Sequence, residues 1–357
     1  MVNVIGWDIG GANTKAAFIS TENCFVEELK TAIEYFPVWK DPEKLTNVLS
    51  RLKEMVSNTV KLDCIGVTMT AELSDAYRTK REGVNHILSC VAQVFPNTPV
   101  FVLDVKATLR SMEDARSEPL SVAAANWAAT GWLVSQLIKN CVIIDVGSTS
   151  TSIIPVVEGR ISAAGKTDLE KLMNGELVYT GSLRTNIAAI VNSIPLRGGL
   201  ARVASELFAQ SGDVHLVLGN ITAKEYTAET ADGRGKTRNE AMARLARAVC
   251  ADIEMLTEQE IVQIARYVHN RQIEQVVEGL SQVYSRIKSL KNAKIPAVIT
   301  GIGRDFIARN AAQRIGIDEI IDLGKLVPND AVTASPAVGV ALMAASKLEG
   351  RTAKWTP

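Results

Sequence analysis

The sequence has no CxxC pair, no unbroken apolar run of eighteen residues and no excess of either charge. Each absence removes a class of protein. Five cysteines, at 24, 64, 90, 141 and 250, leave an odd count with no zinc-ligand spacing, which reads as reduced thiols in a cytoplasmic protein. Nothing is long and apolar enough to read as a membrane span, and the opening strand, already under way at residue 4, leaves no room for a signal peptide. Lysine plus arginine and aspartate plus glutamate each total 39, so no basic field recommends nucleic acid or an anionic membrane. Small molecules are the expected partners, and a homo-oligomer is left open. His86, His215 and His269 have no metal-ligand spacing, and His86 falls off the apolar face of its helix, which predicts a solvent-facing side chain. No linker rich in proline, glycine or serine interrupts the 357 residues, which predicts two joined lobes rather than two independent beads.

What is present alternates between strand and helix. Residues 2–9 and 15–20 read as strands joined by a glycine turn. Asp41-Pro42 reads as an N-cap before a helix whose apolar face is Leu45, Val48, Leu49, Leu52, Met55 and Val56. A buried strand at 64–72, a helix with Val84, Ile87, Leu88, Val91 and Phe95 inside, and a strand ending at Asp104 follow. This alternation predicts an α/β architecture. Residues 121–138 read as one small-residue helix with Trp127 and Trp132 in the core, and 142–156 repeat the opening pattern. From about 200 to 293 the chain turns helical, with capping boxes at Thr237/Glu240 and Thr257/Glu260. The second box opens a long helix ending before Pro296; a strand at 297–300 and a closing helix from Ser335-Pro336 complete the chain.

The chemistry lies in a recurrence. "VIGWDIGGANTK" at 4–15 and "VIIDVGSTST" at 142–151 each run an apolar strand into an aspartate and then into glycine and hydroxyl residues. Glycines let backbone amides approach phosphate oxygens, and the strand-end carboxylates Asp8 and Asp145 suit Mg²⁺ or its waters. Two such turns could grip a diphosphate or triphosphate, with Lys15 adding a point charge. The alternative is that Gly10-Gly11 and Gly147 only make hairpin turns. Other phosphate motifs fail. "GIGRDF" at 301–306 has Phe306 where a dinucleotide fingerprint needs glycine, and "GKT" at 235–237 has Thr230 where a P-loop needs glycine.

Asp8 to Lys15, the second Asp-x-Gly-Ser-Thr at 145–149, the late Gly301-x-Gly303 turn and the small-residue helix "SPAVGVALMAA" resemble the sugar kinase, Hsp70 and actin superfamily across the whole chain. That resemblance implies two duplicated ribonuclease H-like lobes around a phosphate cleft: 1–125 with 335–357, and 126–334 with the helical insertion at about 200–293. Within it, "WDIGGANTKAA", "TMTAELSDAY", "YTGSLRTN", "PLRG" and "TADGRGKTR" resemble the hydantoinase/oxoprolinase-like group linked to tetrahydromethanopterin one-carbon pathways. The resemblance implies a transferase of methanofuran biosynthesis that joins an aminomethylfuran diphosphate to the phenol of γ-glutamyltyramine and releases diphosphate. It implies Mg²⁺ and no consumption of ATP.

On that reading Asp8, Asp145, Lys15 and Glu72 are the catalytic candidates, with Asp8 and Asp145 also the metal ligands. Gly10, Gly11, Asn13, Thr14, Gly147, Ser148, Thr149, Gly301 and Gly303 bind phosphate, and Thr70, Arg184, Arg234 and Lys236 contact substrate. Glu72 is the candidate base for the phenol, or else it caps a loop or pairs with Arg78. Arg184 binds the glutamyl carboxylate or the diphosphate, with structural pairing as its rival. Residues 231–238 form either a lid over phosphate or an exposed solvated loop. The same residues also allow an ATP-dependent kinase or oxoprolinase-like enzyme, and a non-catalytic nucleotide switch.

Overall fold

A computed structural model describes residues 1–57, 60–290 and 295–355. The expected end of the long helix, at 291–294, lies outside the described residues. Contacts divide the chain into one unit of Met1–Cys141, Ile154–Glu170 and the chain from Leu323, and a second of Val142–Ile153 and Lys171–Asp322.

In the first unit, continuous apolar segments make the inner strands of a sheet. Its members are β1 (Val2–Ile9), β2 (Asn13–Glu22), β3 (Phe25–Tyr35), β4 (Cys64–Met69), β5 (Val100–Leu103) and β6 (Leu109–Ser111), in the order β3-β2-β1-β4-β5-β6. β1 pairs antiparallel with β2 and parallel with β4, which sets Lys15 and Thr68 on either side of Asp8. The polar outer strand β3 escaped the sequence reading because its charged residues interrupt any apolar alternation.

The closing helix Ser335–Glu349 lies on this sheet at backbone distance. A Cβ on Gly6 would stand 2.0 Å from the carbonyl oxygen of Ala337, so the small residues of helix and strand are required by close approach. The same helix meets Asn126–Ser135, where Thr130 Oγ1 and Ser335 Oγ are 3.3 Å apart. Residues 126–141 therefore belong to the first unit, whereas the sequence had assigned them to the second lobe.

Three local expectations need correction. The helix expected over 121–138 is two, Pro119–Val122 and Asn126–Ser135, broken where Ala124 takes a φ of 53°. Asp41 makes no side-chain cap; its carboxylate pairs with Lys44 at 2.6 Å instead. Met55 of the helix Leu45–Ser57 is 66% exposed rather than buried.

The second sheet is formed from β7 (Cys141–Val146), β8 (Thr151–Val157), β9 (Arg160–Ile161) and β10 (Leu177–Val178). After a separate hairpin of β11 (Ser193–Leu196) and β12 (Gly199–Arg202), β13 (Ala297–Thr300) and β14 (Ile320–Asp322) complete it. Its order is β10-β8-β7-β13-β14, with β9 pairing β8, so the ribonuclease H-like arrangement of the first sheet recurs. The parallel register of β7 and β13 sets Thr300 beside Asp145. Both capping boxes form, and the long helix Glu258–Leu290 buries Ile261, Ile264, Val268, Val276, Leu280, Val283 and Ile287 as its spacing predicts.

Candidate functional site

Where β1 leaves its sheet, the Gly10 amide donates to the Asn13 carbonyl at 3.0 Å, closing the turn that the glycine pair predicted. A Cβ on Gly10 would lie 2.7 Å from that carbonyl, whereas one on Gly11 would meet nothing within 4 Å. Gly10 therefore closes the turn and Gly11 leaves its outer side open. Asp8 is 3% exposed and faces Lys15, whose Nζ lies 3.3 Å from Oδ2. The other oxygen, Oδ1, has no hydrogen-bond partner, and neither do the buried hydroxyls of Thr14 and Thr68. Such groups are costly to bury unsatisfied, so their accumulation at one strand end is a functional signal. Thr70 joins them: its amide donates to Ile9, and its hydroxyl lies 3.5 Å from where a Gly10 side chain would begin.

One short helical turn further, at Ala71–Leu73, sits Glu72. It is 1% exposed, and neither carboxylate oxygen has a hydrogen-bond partner. Its nearest cation is Lys80, 3.8 Å from Oε1, rather than Arg78. Burial pushes the carboxyl up to about 7; Lys80 and the amides of Glu72 and Ala124, short of full hydrogen-bond geometry, pull it only partly back.

In the second unit the turn after β7 is closed by the Gly147 amide on Ser150 O at 3.0 Å. Residues 180–184 form a layer of backbone beneath it. The amide of Ser182 donates to Gly147 O, and those of Leu183 and Arg184 both donate to Ser148 O, which draws the turn's carbonyls to one side. A Cβ on Gly181 would come within 2.5 Å of Thr149 backbone, so only glycine permits this contact. Arg184 Nη1 donates to Thr149 Oγ1 at 3.1 Å, which holds the guanidinium at the turn. Gly301, at φ 84°, packs beside Asp145: its Cβ would stand 2.7 Å from Asp145 Oδ1.

The support beneath Gly181 was not visible in the sequence. Fully buried Gln272, from the long helix, donates to Gly181 O at 2.8 Å and Thr180 Oγ1 at 2.9 Å, and pairs through Oε1 with His215 Nε2 at 2.9 Å. Burial, followed by neighbouring His269, pulls His215 down to about 3, so it is neutral at pH 7 and acts as a structural link.

The sequence profile of the hydantoinase/oxoprolinase family matches residues 63–347. The chain belongs to that family. Among its relatives is the (4-{4-[2-(γ-L-glutamylamino)ethyl]phenoxymethyl}furan-2-yl)methanamine synthase of Methanocaldococcus jannaschii, 36% identical over 98% of this chain and 99% of the relative. The synthase of the same name from Methanococcus vannielii is 35% identical over 61% of this chain and 97% of its own length. A nucleotide-free acetone carboxylase structure, 11% identical, overlays 96% of this chain and 70% of its own with a TM-score of 0.58. That likeness shows a shared fold.

Other residues singled out in this hydantoinase/oxoprolinase chain are placed by local contacts. Residues 231–238 do not form a free lid. Asp232 is bound by Arg244 and Arg247, Gly235 O accepts from Arg244 at 3.1 Å, and Glu240 holds the amides of Gly235 and Thr237. Lys236 lies over the ring of Tyr226, 5.5 Å from its centroid, and Arg234 is exposed. His86 is not simply solvent-facing: it is half-buried, with Nδ1 2.6 Å from the Tyr77 hydroxyl.

The donor set bears on the expected Mg²⁺. Among the described residues, no three or more histidine, cysteine, aspartate or glutamate side chains converge as a metal-binding group. The unpartnered buried Oδ1 of Asp8, with Thr68 opposite it in the sheet register, nevertheless suits a hard cation. Mg²⁺ commonly takes only one or two carboxylates, with water and substrate phosphate filling its other positions.

Proposed function

We propose that this chain is the transferase of methanofuran biosynthesis that joins [5-(aminomethyl)furan-3-yl]methyl diphosphate to γ-glutamyltyramine. The phenolic oxygen forms a bond to the furfuryl carbon, the bond from that carbon to the diphosphate oxygen breaks, and the phenolic proton leaves to a base. The products are the aryl-alkyl ether and diphosphate. The observation that carries this reading is the full-length match to a relative bearing the synthase name.

The residues suit such a displacement. Charge gathers on the leaving diphosphate as its bond to carbon breaks, and preorganised amides and cations lower that barrier. The Gly10–Asn13 turn with Lys15, and the Gly147–Thr149 turn with Arg184, supply both types of group. Asp8 and Asp145 are the proposed ligands of Mg²⁺, which when bound supplies positive charge to phosphate oxygens. Arg184, anchored on Thr149, is assigned to the diphosphate rather than the glutamyl carboxylate. Glu72 is the proposed base. A phenol near pKa ~10 needs an acceptor that is ionised yet basic at neutral pH, and a buried carboxyl near 7 meets both needs. Five free cysteines fit a reducing cytoplasm.

Purified protein, the two substrates and Mg²⁺, followed by mass spectrometry, test the assignment. Ether and diphosphate should appear in equal amounts without ATP. Absence of the ether, together with turnover of ATP on a small acceptor, overturns the assignment in favour of an ATP-dependent enzyme on the same fold.

A further inference from the structure

Lys80 occupies an unfavourable place. It is the first residue of the helix Lys80–Val94, where the positive end of the helix dipole opposes a cation. Two carboxylates face the same ammonium. Asp168, in the first turn of the helix Asp168–Met173, lies 2.7 Å from Nζ through Oδ2, and Glu72 lies 3.8 Å from it through Oε1.

The surroundings hold this arrangement in place. Thr79 caps the helix by accepting from the Glu82 amide at 3.2 Å. A Cβ on Gly83, one turn along, would lie 2.6 Å from Glu72 Cα, so the helix start is seated directly on the Glu72 backbone. The groups that face Glu72 are Lys80 from this helix, Asp168 from the later one, Tyr77 from the preceding loop, its own amide and that of Ala124. His86 is turned to Tyr77 and Cys90, and Glu82 accepts from the Arg78 amide.

We propose that Lys80 is a positioning residue shared by Asp168 and Glu72, drawn from Asp168 toward Glu72 as Glu72 gives up its proton. The geometry supports this. While Glu72 is neutral, Asp168 holds the ammonium through a direct contact and Glu72 Oε1, 3.8 Å away, stands outside hydrogen-bond range. When Glu72 ionises it becomes the buried anion, and Lys80, a quarter exposed on a flexible stem, is the one cation within 4 Å of it among the described residues. Asp168 opposes the transfer by competing for the ammonium. Lys80 and Asp168 thus set the ionisation of Glu72 in opposite directions, which a role in packing alone would not do.

The catalytic consequence rests on the base role assigned to Glu72 above, so two readouts are needed. Carboxyl-labelled glutamate, with the Glu72 resonance identified by its loss in Glu72→Gln, reports the Glu72 midpoint by NMR in the full chain without substrate. Lys80→Met should raise that midpoint by about one pH unit and Asp168→Asn should lower it by about half a unit, since an opposite charge favours the ionised form and partial exposure weakens the effect. If Lys80→Met does not fold, Lys80→Gln carries the same expectation. Shifts in the same direction, or no shift in either variant, overturn the proposal. The acidic limb of kcat/KM should follow the midpoint, with a loss of up to about tenfold at pH 6.5 in Lys80→Met. Opposite NMR shifts with an unmoved rate profile support the Lys80 proposal and remove Glu72 from its role as base.

Discussion

Glu72 shows what one buried side chain implies for both activity and stability. As the base it should be irreplaceable by an amide: Glu72→Gln should lower kcat by about 10²–10⁴-fold, measured by ether formation at pH 7.5. Stability should move the other way. The folded-state value, about 7, lies above the unfolded value near 4.5, so the folded chain holds this proton more tightly. The resulting stabilisation is fully present below the unfolded value and is lost as pH rises through about 7. Glu72→Gln should therefore gain stability relative to the parent between pH 4.5 and pH 8, by about 3 kcal/mol at most, read from urea midpoints. A pH-independent difference contradicts that account. The sequence showed Glu72 as a candidate but not its partner. Lys80 is close in the chain, but Asp168 is 88 residues further on, and no spacing rule links such a pair.

At the scale of elements, the strand-aspartate-glycine turns were legible because the order of residue types encodes them: an apolar strand, a carboxylate where none is expected, then residues that bare the backbone. What supports them was not. Gln272 looks like an ordinary polar position in a long amphipathic helix, yet it satisfies Thr180, Gly181 and His215 together. Gln272→Leu strands those groups, and should cost about 2 kcal/mol while raising KM for the diphosphate substrate more than for γ-glutamyltyramine. Equal change in both KM values contradicts a role in holding the 147–149 turn. The break at Ala124 was equally hidden, since alanine is the best helix former and only tertiary context places it at positive φ. The outer strand β3 carried too much charge to read as a strand.

For the molecule as a whole, strand–helix alternation sufficed for an α/β architecture, while the duplicated two-lobed plan came from the resemblance to the sugar kinase, Hsp70 and actin superfamily. The boundaries did not follow from pattern, since they depend on which helix packs on which sheet. Gly6 makes that dependence measurable. With Ala337 O 2.0 Å from a new Cβ, Gly6→Ala must push the closing helix off the sheet. It should destabilise the chain by roughly 3 kcal/mol by chemical denaturation, while a full-length protein of unchanged stability removes the close-packing explanation.

That same closing helix has a consequence for the order in which the chain is made. Every segment of the second unit has been synthesised once residue 322 is reached, but the first sheet, begun at residue 2, still lacks the helix Ser335–Glu349 that lies on it. Strands made before the second unit are thus completed by a helix made after it. Until then the apolar face around Gly6 and Gly66 is left uncovered, and a nascent or prematurely terminated chain carries a finished second unit beside a first that cannot close.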